Sequence, residues 1–260
     1  MRDLFITGSS FLLGDIEQGA FSPYVDAKKL RRMEKIAKNV LWCAFSACQQ
    51  AKIEFQKENN LGLSLAVGAG SLESTLRFLD SIIEDGDALS SPTAFAGSVH
   101  NSTALTLSLF LHSHGPCVTT GQLDSSFAAS FLTAQQFLES GMCEQVLVAA
   151  TDDINPVAAQ LVPQNPSFWE GLVRPGEFRR AAAAFVLSNT PEEGCFKVDS
   201  LSFKRTNTEE KKPGPASFSS PAFSAFCTAQ QCAAGKDFVV KDIFAGTDFK
   251  LEVSVYAFKK

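Results

Sequence analysis

The stretch of residues 115–126 has the residue types and spacing that could support chemistry. Its apolar run at 117–120 predicts a strand, and the pattern over 127–140 predicts a helix. A strand, a tight turn with one exposed side chain and a helix commonly carry a nucleophile. The exposed side chain at this turn is expected to be Asp124, and a carboxylate is a weak nucleophile. The order of elements therefore predicts where a nucleophile would be placed, but the residue at that position is a weak one.

Few other residues are available for acid-base or metal chemistry. The histidines are His100, His112 and His114, and the last two are expected to be structural or surface residues. The cysteines form no Cys-x-x-Cys pair, which favours reduced, buried thiols over disulfides or a metal site. The run Gly68-Ala69-Gly70 lacks the third glycine of a dinucleotide fingerprint. No cofactor and no metal are expected.

The acidic residues Asp152 and Asp153 follow a predicted buried strand directly. Two carboxylates that are adjacent in sequence need not share a site. Their position favours a loop and helix cap over acid-base catalysis.

Composition is ordinary for a globular protein, with 45% hydrophobic and 20% charged residues in a chain of 260. A net charge of −5 argues against a general nucleic-acid binder, which needs a basic surface. No apolar run approaches the roughly 20 residues of a membrane span. The first residues do not resemble a signal peptide, so a cytoplasmic protein is expected.

The first 150 residues alternate between predicted strands and helices, which is typical of an α/β fold with a mostly parallel or mixed, buried sheet. An irregular segment is expected after Pro92. The predicted strands span residues 4–8, 63–68, 117–120 and 146–150, and the predicted helices span 27–51, 71–84, 99–111 and 127–140.

Composition changes between residues 206 and 220, where charged residues give way to Pro, Gly and Ser. This segment is expected to be a linker or mobile loop. It separates a domain at 1–205, which ends in strands at 181–187 and 196–203, from a short α/β extension at 221–260. The extension is expected to contain a helix over 221–234 and two strands, and to pack on the same domain.

Basic residues dominate the first half of the predicted helix at 27–51. A solvated face is the favoured explanation of this charge, and a docking patch for an acidic partner is the alternative. The residues are Lys28, Lys29, Arg31, Arg32, Lys35 and Lys38, against Glu34.

Five short motifs in order resemble the N-terminal half of a β-ketoacyl synthase, in the thiolase fold. They are Phe5-Ile6-Thr7-Gly8, residues 26–37 with Arg32-Met33, residues 66–70, Ser91-Pro92 with Asn101, and Gly115-Pro116. Together they cover roughly residues 1–205. The resemblance implies a thiolase-like half-fold with helices on both faces of the sheet.

The resemblance also implies that the catalytic nucleophile is missing. Active members carry Thr-Ala-Cys-Ser-Ser, with the Cys nine residues after the first Gly of the Gly-Pro. Nine residues after Gly115 comes Asp124, and Gln122 and Ser125 are its near neighbours. The two catalytic histidines of the family lie in a C-terminal half that this chain is too short to contain. Ala245-Gly246-Thr247 is similar to a relic of the first histidine motif, with Ala in place of His.

Members without the Cys are known as chain length factors, which pair with an active ketosynthase and shape its acyl tunnel. The small versions of aryl-polyene and related polyene pathways look similar to this chain. The resemblance implies a heterodimer with an active ketosynthase, whose substrates ride on acyl carrier protein. It also implies that small residues such as Ala94 and Gly97 leave the tunnel long. The tunnel and interface residues that it implies are Thr93, Ala94, Phe95, Gly97, Ser98, His100 and Asn101, with the helix at 99–111 on the same interface.

Two other functions remain open at this point. One is a stand-alone malonyl-ACP decarboxylase or thioester hydrolase that uses Gln122, Asp124 or Ser125. The other is a structural scaffold subunit that makes no contact with a tunnel.

Overall fold

The structure is a computed structural model that describes residues 3–31, 33–86, 90–122, 125–152, 173–174, 177–206, 220–245 and 250–259. Its strands are β1 (Leu4–Leu13), β2 (Gly62–Val67), β3 (Cys117–Gly121), β4 (Gln145–Asp152), β5 (Val173–Arg174), β6 (Glu177–Phe178), β7 (Ala181–Ser188), β8 (Phe196–Thr206), β9 (Phe238–Ala245) and β10 (Lys250–Lys259). Its helices are α1 (Ala27–Leu30), α2 (Lys35–Gln50), α3 (Leu72–Asp85), α4 (Pro92–Ser98), α5 (Ser102–Phe110), α6 (Ser126–Glu139) and α7 (Pro221–Ala233), with a short 3₁₀ turn at Gln18–Phe21.

Eight of these strands form one mixed sheet in the order β3-β2-β4-β7-β1-β8-β10-β9. Strand β2 pairs in parallel with β3 and β4, and the other neighbours in the sheet are antiparallel. The α/β class is therefore confirmed, and of the two sheet types expected it is the mixed one. Parallel pairing in the described sheet is confined to the strands that helices α3 to α6 connect, because a parallel pair needs a long crossover connection.

Helices cover both faces of the sheet. On one face, α2 presents apolar residues at spacings of three and four to side chains such as Leu65 and Val186. On the other face, α6 and α7 pack against neighbours of Val186 in β7, among them Phe185. Alternate residues of a strand point to opposite faces, so β7 contributes to both layers.

A close approach between α2 and β1 depends on Gly8. A Cβ at this position would collide with the carbonyl oxygen of Ala47 in α2. The first strand motif therefore ends in glycine for a packing reason, because backbone meets backbone there.

Two predicted helix boundaries were wrong. The helix expected over 27–51 is divided into α1 and α2. The irregular segment expected after Pro92 is helix α4, and the helix expected over 99–111 begins only at Ser102. The Ser91 side chain caps α4 by accepting a hydrogen bond from the Ala94 N–H (3.2 Å), and Pro92 occupies its first turn. Ser-Pro is thus a helix start here, a signal that the sequence contained.

The C-terminal residues continue the same sheet and the same core. Strand β10 pairs with β8, and Ala225 and Ala229 of α7 belong to the cluster that contains Phe131 of α6. Most of the segment expected to be a linker, residues 207–219, lies outside the described residues. Among the residues that the structure describes, no helix is long and apolar enough to cross a membrane.

Candidate functional site: the β3–α6 turn and the apolar face beside it

Four residues join β3 to α6, and they form the turn at which a nucleophile was expected. Strand β3 ends at Gly121 and α6 begins at Ser126. The order of strand, turn and helix is as expected. Asp124 itself, together with Leu123, lies outside the described residues.

Ser125 is fully buried and its hydroxyl is already used in the turn. Its Oγ donates a hydrogen bond to the carbonyl oxygen of Gln122 (3.0 Å). The Gln122 N–H in turn donates to Oγ of Ser126 (2.7 Å), which is also buried. A hydroxyl that is buried and committed to a carbonyl oxygen is not positioned to attack a substrate. Of the two members of the predicted set that the structure describes, Gln122 is exposed.

His100 lies directly beside this turn. A Cβ at Gly70, just beyond β2, would lie 3.0 Å from the Nδ1 atom of His100, and a Cβ at Gly121 would lie 3.4 Å from its Cδ2 atom. The imidazole therefore packs over two glycines at the carboxyl ends of neighbouring parallel strands, and the residue remains exposed. Ligand sites of α/β proteins lie at this edge of a sheet.

The other two histidines lie away from this turn, near the opposite end of β3. Both contact Glu58: His114 through Nε2, and His112 through Nδ1 at 3.8 Å. They fit the structural or surface role expected of them. Among the described residues, no group of His, Cys, Asp and Glu side chains is arranged to hold a metal ion.

The buried cysteines offer no replacement for the nucleophile that the family has at this turn. All seven cysteines of the chain are unpaired, and Cys43, Cys48, Cys143, Cys195 and Cys232 are buried. Burial raises the pKa of Cys48 and of Cys232 to about 12, so that both thiols stay protonated at neutral pH. A protonated, buried thiol is inert.

Helix α4 carries most of the expected tunnel residues, and two of them face the interior of their own chain. Ala94 is only 7% exposed. A Cβ at Gly97 would collide with the Glu34 carboxylate and lie 2.9 Å from Oγ of Ser74. Side chains of this chain occupy the space beside Gly97, and the expectation that Ala94 and Gly97 border a partner's tunnel stays a prediction.

The side chains that do point outward from α4 are Thr93, Phe95 and Ala96. Phe95 is 53% exposed, with its ring centroid 5.1 Å from that of Phe78 in α3. Ser98 is half-buried and donates from Oγ to the carbonyl oxygen of Phe95 (2.8 Å). Asn101 is exposed in the break between α4 and α5, next to His100.

The elements around this break carry exposed apolar side chains. Helix α3 packs on α4, α4 on α5, and α5 on β3, which is an edge strand of the described sheet. Large exposed apolar side chains lie on each of these elements, and such patches mark protein interfaces. We call this surface the apolar face; it consists of Leu79, Ile83, Phe95, Val99, Leu105, Leu109 and Val118.

Sequence reasoning did not identify most of the apolar face. One signal was present: α5 is hydrophobic all round, with Leu105 and Leu109 opposite the buried Leu107. A helix of this kind is normally covered on every side. Among the residues that the structure describes, none buries the side of α5 that carries Leu105 and Leu109.

A basic groove borders α4 on its other side. It has a volume of about 450 Å³. Part of the basic run that the sequence singled out lines it, together with Arg77 of α3 and Thr93 of α4. Glu34 lies in the groove and contacts Ser74 and Arg77 (3.3 Å). Arg32 lies outside the described residues.

Comparison with known proteins gives one family match. The model of the β-ketoacyl synthase N-terminal domain matches residues 18–237. No curated protein matches the chain significantly.

Solved structures resemble the chain over nearly its whole length. A structure of a type II polyketide synthase acyl-carrier protein in complex with its ketosynthase bound to the hexaketide (AntDE:AntF) has a TM-score of 0.75 at 11% identity, covering 98% of this chain and 99% of that one. The ishigamide ketosynthase/chain length factor has a TM-score of 0.69 at 13% identity, with coverage of 98% and 99%. The ketosynthase ApeO in complex with its chain length factor ApeC from Xenorhabdus doucetiae has a TM-score of 0.59 at 16% identity, with coverage of 98% and 100%. At such identities the likeness shows a shared fold.

Proposed function

The chain belongs to the β-ketoacyl synthase family through its N-terminal domain, and on this premise we propose that it is a non-catalytic chain length factor. In this role it pairs with an active β-ketoacyl-ACP synthase and shapes the acyl tunnel of that partner during polyene, polyketide or fatty-acid-type biosynthesis. The observation that carries the proposal is the apolar face, which adjoins an edge strand and a turn without a nucleophile.

The chemistry at the turn supports a non-catalytic role. Condensation requires a thiolate that accepts an acyl chain from a carrier-protein thioester. The sequence has Gln122-Leu123-Asp124 where active relatives have Thr-Ala-Cys. Ser125 is buried and hydrogen bonded within the turn. His100 is the one histidine that lies beside it in the described structure.

The apolar face supports pairing with another subunit. As an edge strand of the described sheet, β3 has no described strand on one side, so backbone groups there could pair with a further strand, and Val118 of β3 is exposed. Apolar side chains next to an open strand edge favour a stable, specific interface over a transient one. Solved structures of similar fold include two complexes of a ketosynthase with a chain length factor.

Phe95 is the best candidate for shaping the tunnel. It projects from α4 within the apolar face, where a partner would cover it. A large rigid side chain at this point would limit the space in which the growing chain extends. Among the residues of α4, we therefore propose Phe95 before Ala94 and Gly97 for the tunnel role.

The basic groove is a candidate contact for the acyl carrier protein. Lys28 and Lys29 of α1 are exposed and precede Arg31, which lines the groove, by three and two residues in the chain; they would attract an acidic partner. One solved structure of similar fold contains an acyl-carrier protein in complex with its ketosynthase. We propose that this side of the heterodimer contributes to carrier docking, and that the charge-reversed pair Lys28→Glu and Lys29→Glu weakens it. Lys236→Glu, on an exposed lysine just beyond α7, is the control.

Co-expression with a ketosynthase encoded by a neighbouring gene tests the main proposal. The expected result is co-purification as a stoichiometric complex and dependence of product formation on both subunits. A monomer or homodimer that no ketosynthase binds would overturn it.

A further inference from the structure

Asp152 is a fully buried carboxylate at the end of β4, and it joins two distant parts of the chain. Its Oδ1 accepts hydrogen bonds from the backbone N–H groups of Gly68 (2.8 Å) and Ala69 (2.9 Å). Its Oδ2 accepts from the N–H of Ala222 (3.4 Å), in the first turn of α7. One side chain thus contacts the end of β2 and the start of a helix 70 residues further along the chain.

Both side-chain oxygens of Asp152 must accept hydrogen bonds at this site. Burial raises the pKa of Asp152 above its ordinary value, and the backbone N–H bonds, including one from Gly70, oppose the rise. The N-terminus of α7 also favours a negative group. Because the groups facing Asp152 are N–H donors, an asparagine would turn its own donor toward another donor.

Helix α7 already has an ordinary cap of its own. Oγ of Ser220 accepts a hydrogen bond from the Phe223 N–H (3.2 Å). The bond from Asp152 to Ala222 is therefore additional to normal capping. What distinguishes it is that the same carboxylate holds the residues after β2.

The residues after β2 that Asp152 holds lie directly before Gly70, which packs against the His100 ring. Gly70 has a φ of +70° and lies so close to the imidazole that a Cβ would be 3.0 Å from Nδ1. The backbone position of Gly70 therefore sets where the ring sits next to Gly121. Asp152 fixes that position through Gly68 and Ala69.

We infer that Asp152 is a positioning residue that couples the start of α7 to the surface carrying His100. A change at one end, whether a shift of α7 or a contact made at His100, is transmitted to the other through one turn of backbone. The inference goes beyond the proposed function and does not depend on it, because all of its contacts lie within a single chain.

The test compares Asp152→Asn with Ser220→Ala in the isolated protein by NMR. We expect Asp152→Asn to accelerate amide exchange at Gly68, Ala69 and Ala222 at least tenfold and to shift the His100 ring C2–H resonance. Ser220→Ala should accelerate exchange in α7 alone and leave the His100 resonance in place. The chain has three histidines, so a His100→Gln variant assigns the signal.

An unchanged His100 resonance in Asp152→Asn, or unchanged exchange at Gly68 and Ala69, would overturn the inference. A shift of similar size in Ser220→Ala would overturn it as well, because α7 alone would then be responsible. If Asp152→Asn does not fold, native-state exchange of the wild type against denaturant decides. The amides of Gly68, Ala69 and Ala222 should then share one opening free energy, and separate openings would refute the coupling.

Discussion

Truncation of the apolar face at α5 tests the proposed heterodimer quantitatively. Leu105 and Leu109 are 60% and 65% exposed in the isolated chain. Burial of a whole leucine side chain is worth about 1.5–3 kcal/mol. Since roughly three-fifths of each side chain remains to be buried and alanine keeps the Cβ, each truncation should remove about 1 kcal/mol of binding free energy. The double variant Leu105→Ala and Leu109→Ala should therefore raise the Kd for the ketosynthase about 30-fold.

Isothermal titration calorimetry or analytical ultracentrifugation with the purified ketosynthase measures this change. The chain offers a matched control pair, because Val118 of β3 and Val239 of β9 are exposed valines on edge strands at opposite ends of the sheet. Val118→Ala should weaken binding, and Val239→Ala should not. The melting temperature of the isolated subunit should change little in every variant, since the truncated side chains are largely exposed.

A double variant that binds the ketosynthase with the wild-type Kd would refute the reasoning. So would an equal loss of affinity in Val118→Ala and Val239→Ala, because the effect would then not be specific to the apolar face. A fall in the melting temperature that parallels the loss of binding would indicate unfolding in place of a lost interface.

Three further predictions concern the tunnel, the turn and the core. Phe95→Ala should lengthen the products of the heterodimer, as read by mass spectrometry; an unchanged product distribution with intact dimers would exclude Phe95 from the tunnel. Asp124→Ala should leave product formation by the heterodimer nearly unchanged, whereas a stand-alone decarboxylase or hydrolase that uses this residue would lose its activity on malonyl- or acyl-carrier protein. Gly8→Ala should destabilise the fold by about 2 kcal/mol or more because its Cβ meets the backbone of α2; Gly19→Ala, whose Cβ has no neighbour within 4 Å, is the control, and equal melting temperatures for the two variants would contradict the packing argument.

The family and the loss of the nucleophile could be read from local sequence. Active relatives have their cysteine nine residues after the first Gly of the Gly-Pro, and nine residues after Gly115 this sequence has Asp124. Periodicity indicated the main elements of the first 150 residues, because the spacing of apolar residues depends on the local geometry of helix and strand. It missed the break between α1 and α2, and it missed the start of α4, where the Ser91 side chain caps the helix.

The direction in which side chains face could not be read in the same way. Ala94 and Gly97 are small, and the sequence alone suggested free space beside them, yet Gly97 packs against Glu34 and Ser74. Val99, Leu105 and Leu109 resemble core residues, yet they are exposed. A pattern predicts that a face is apolar, and only the arrangement of neighbouring elements shows whether the chain itself covers it.

By itself, then, the sequence determined the class of fold, the family resemblance and the absence of a catalytic cysteine, since these depend on local periodicity and on residue identity at a counted position. Tertiary structure alone decided the order of the strands, the apolar face beside β3 and the bond from Asp152 to the first turn of α7. The physical reason is that these features arise from contacts between residues far apart in the chain. Which distant segments meet depends on how all of the elements pack together.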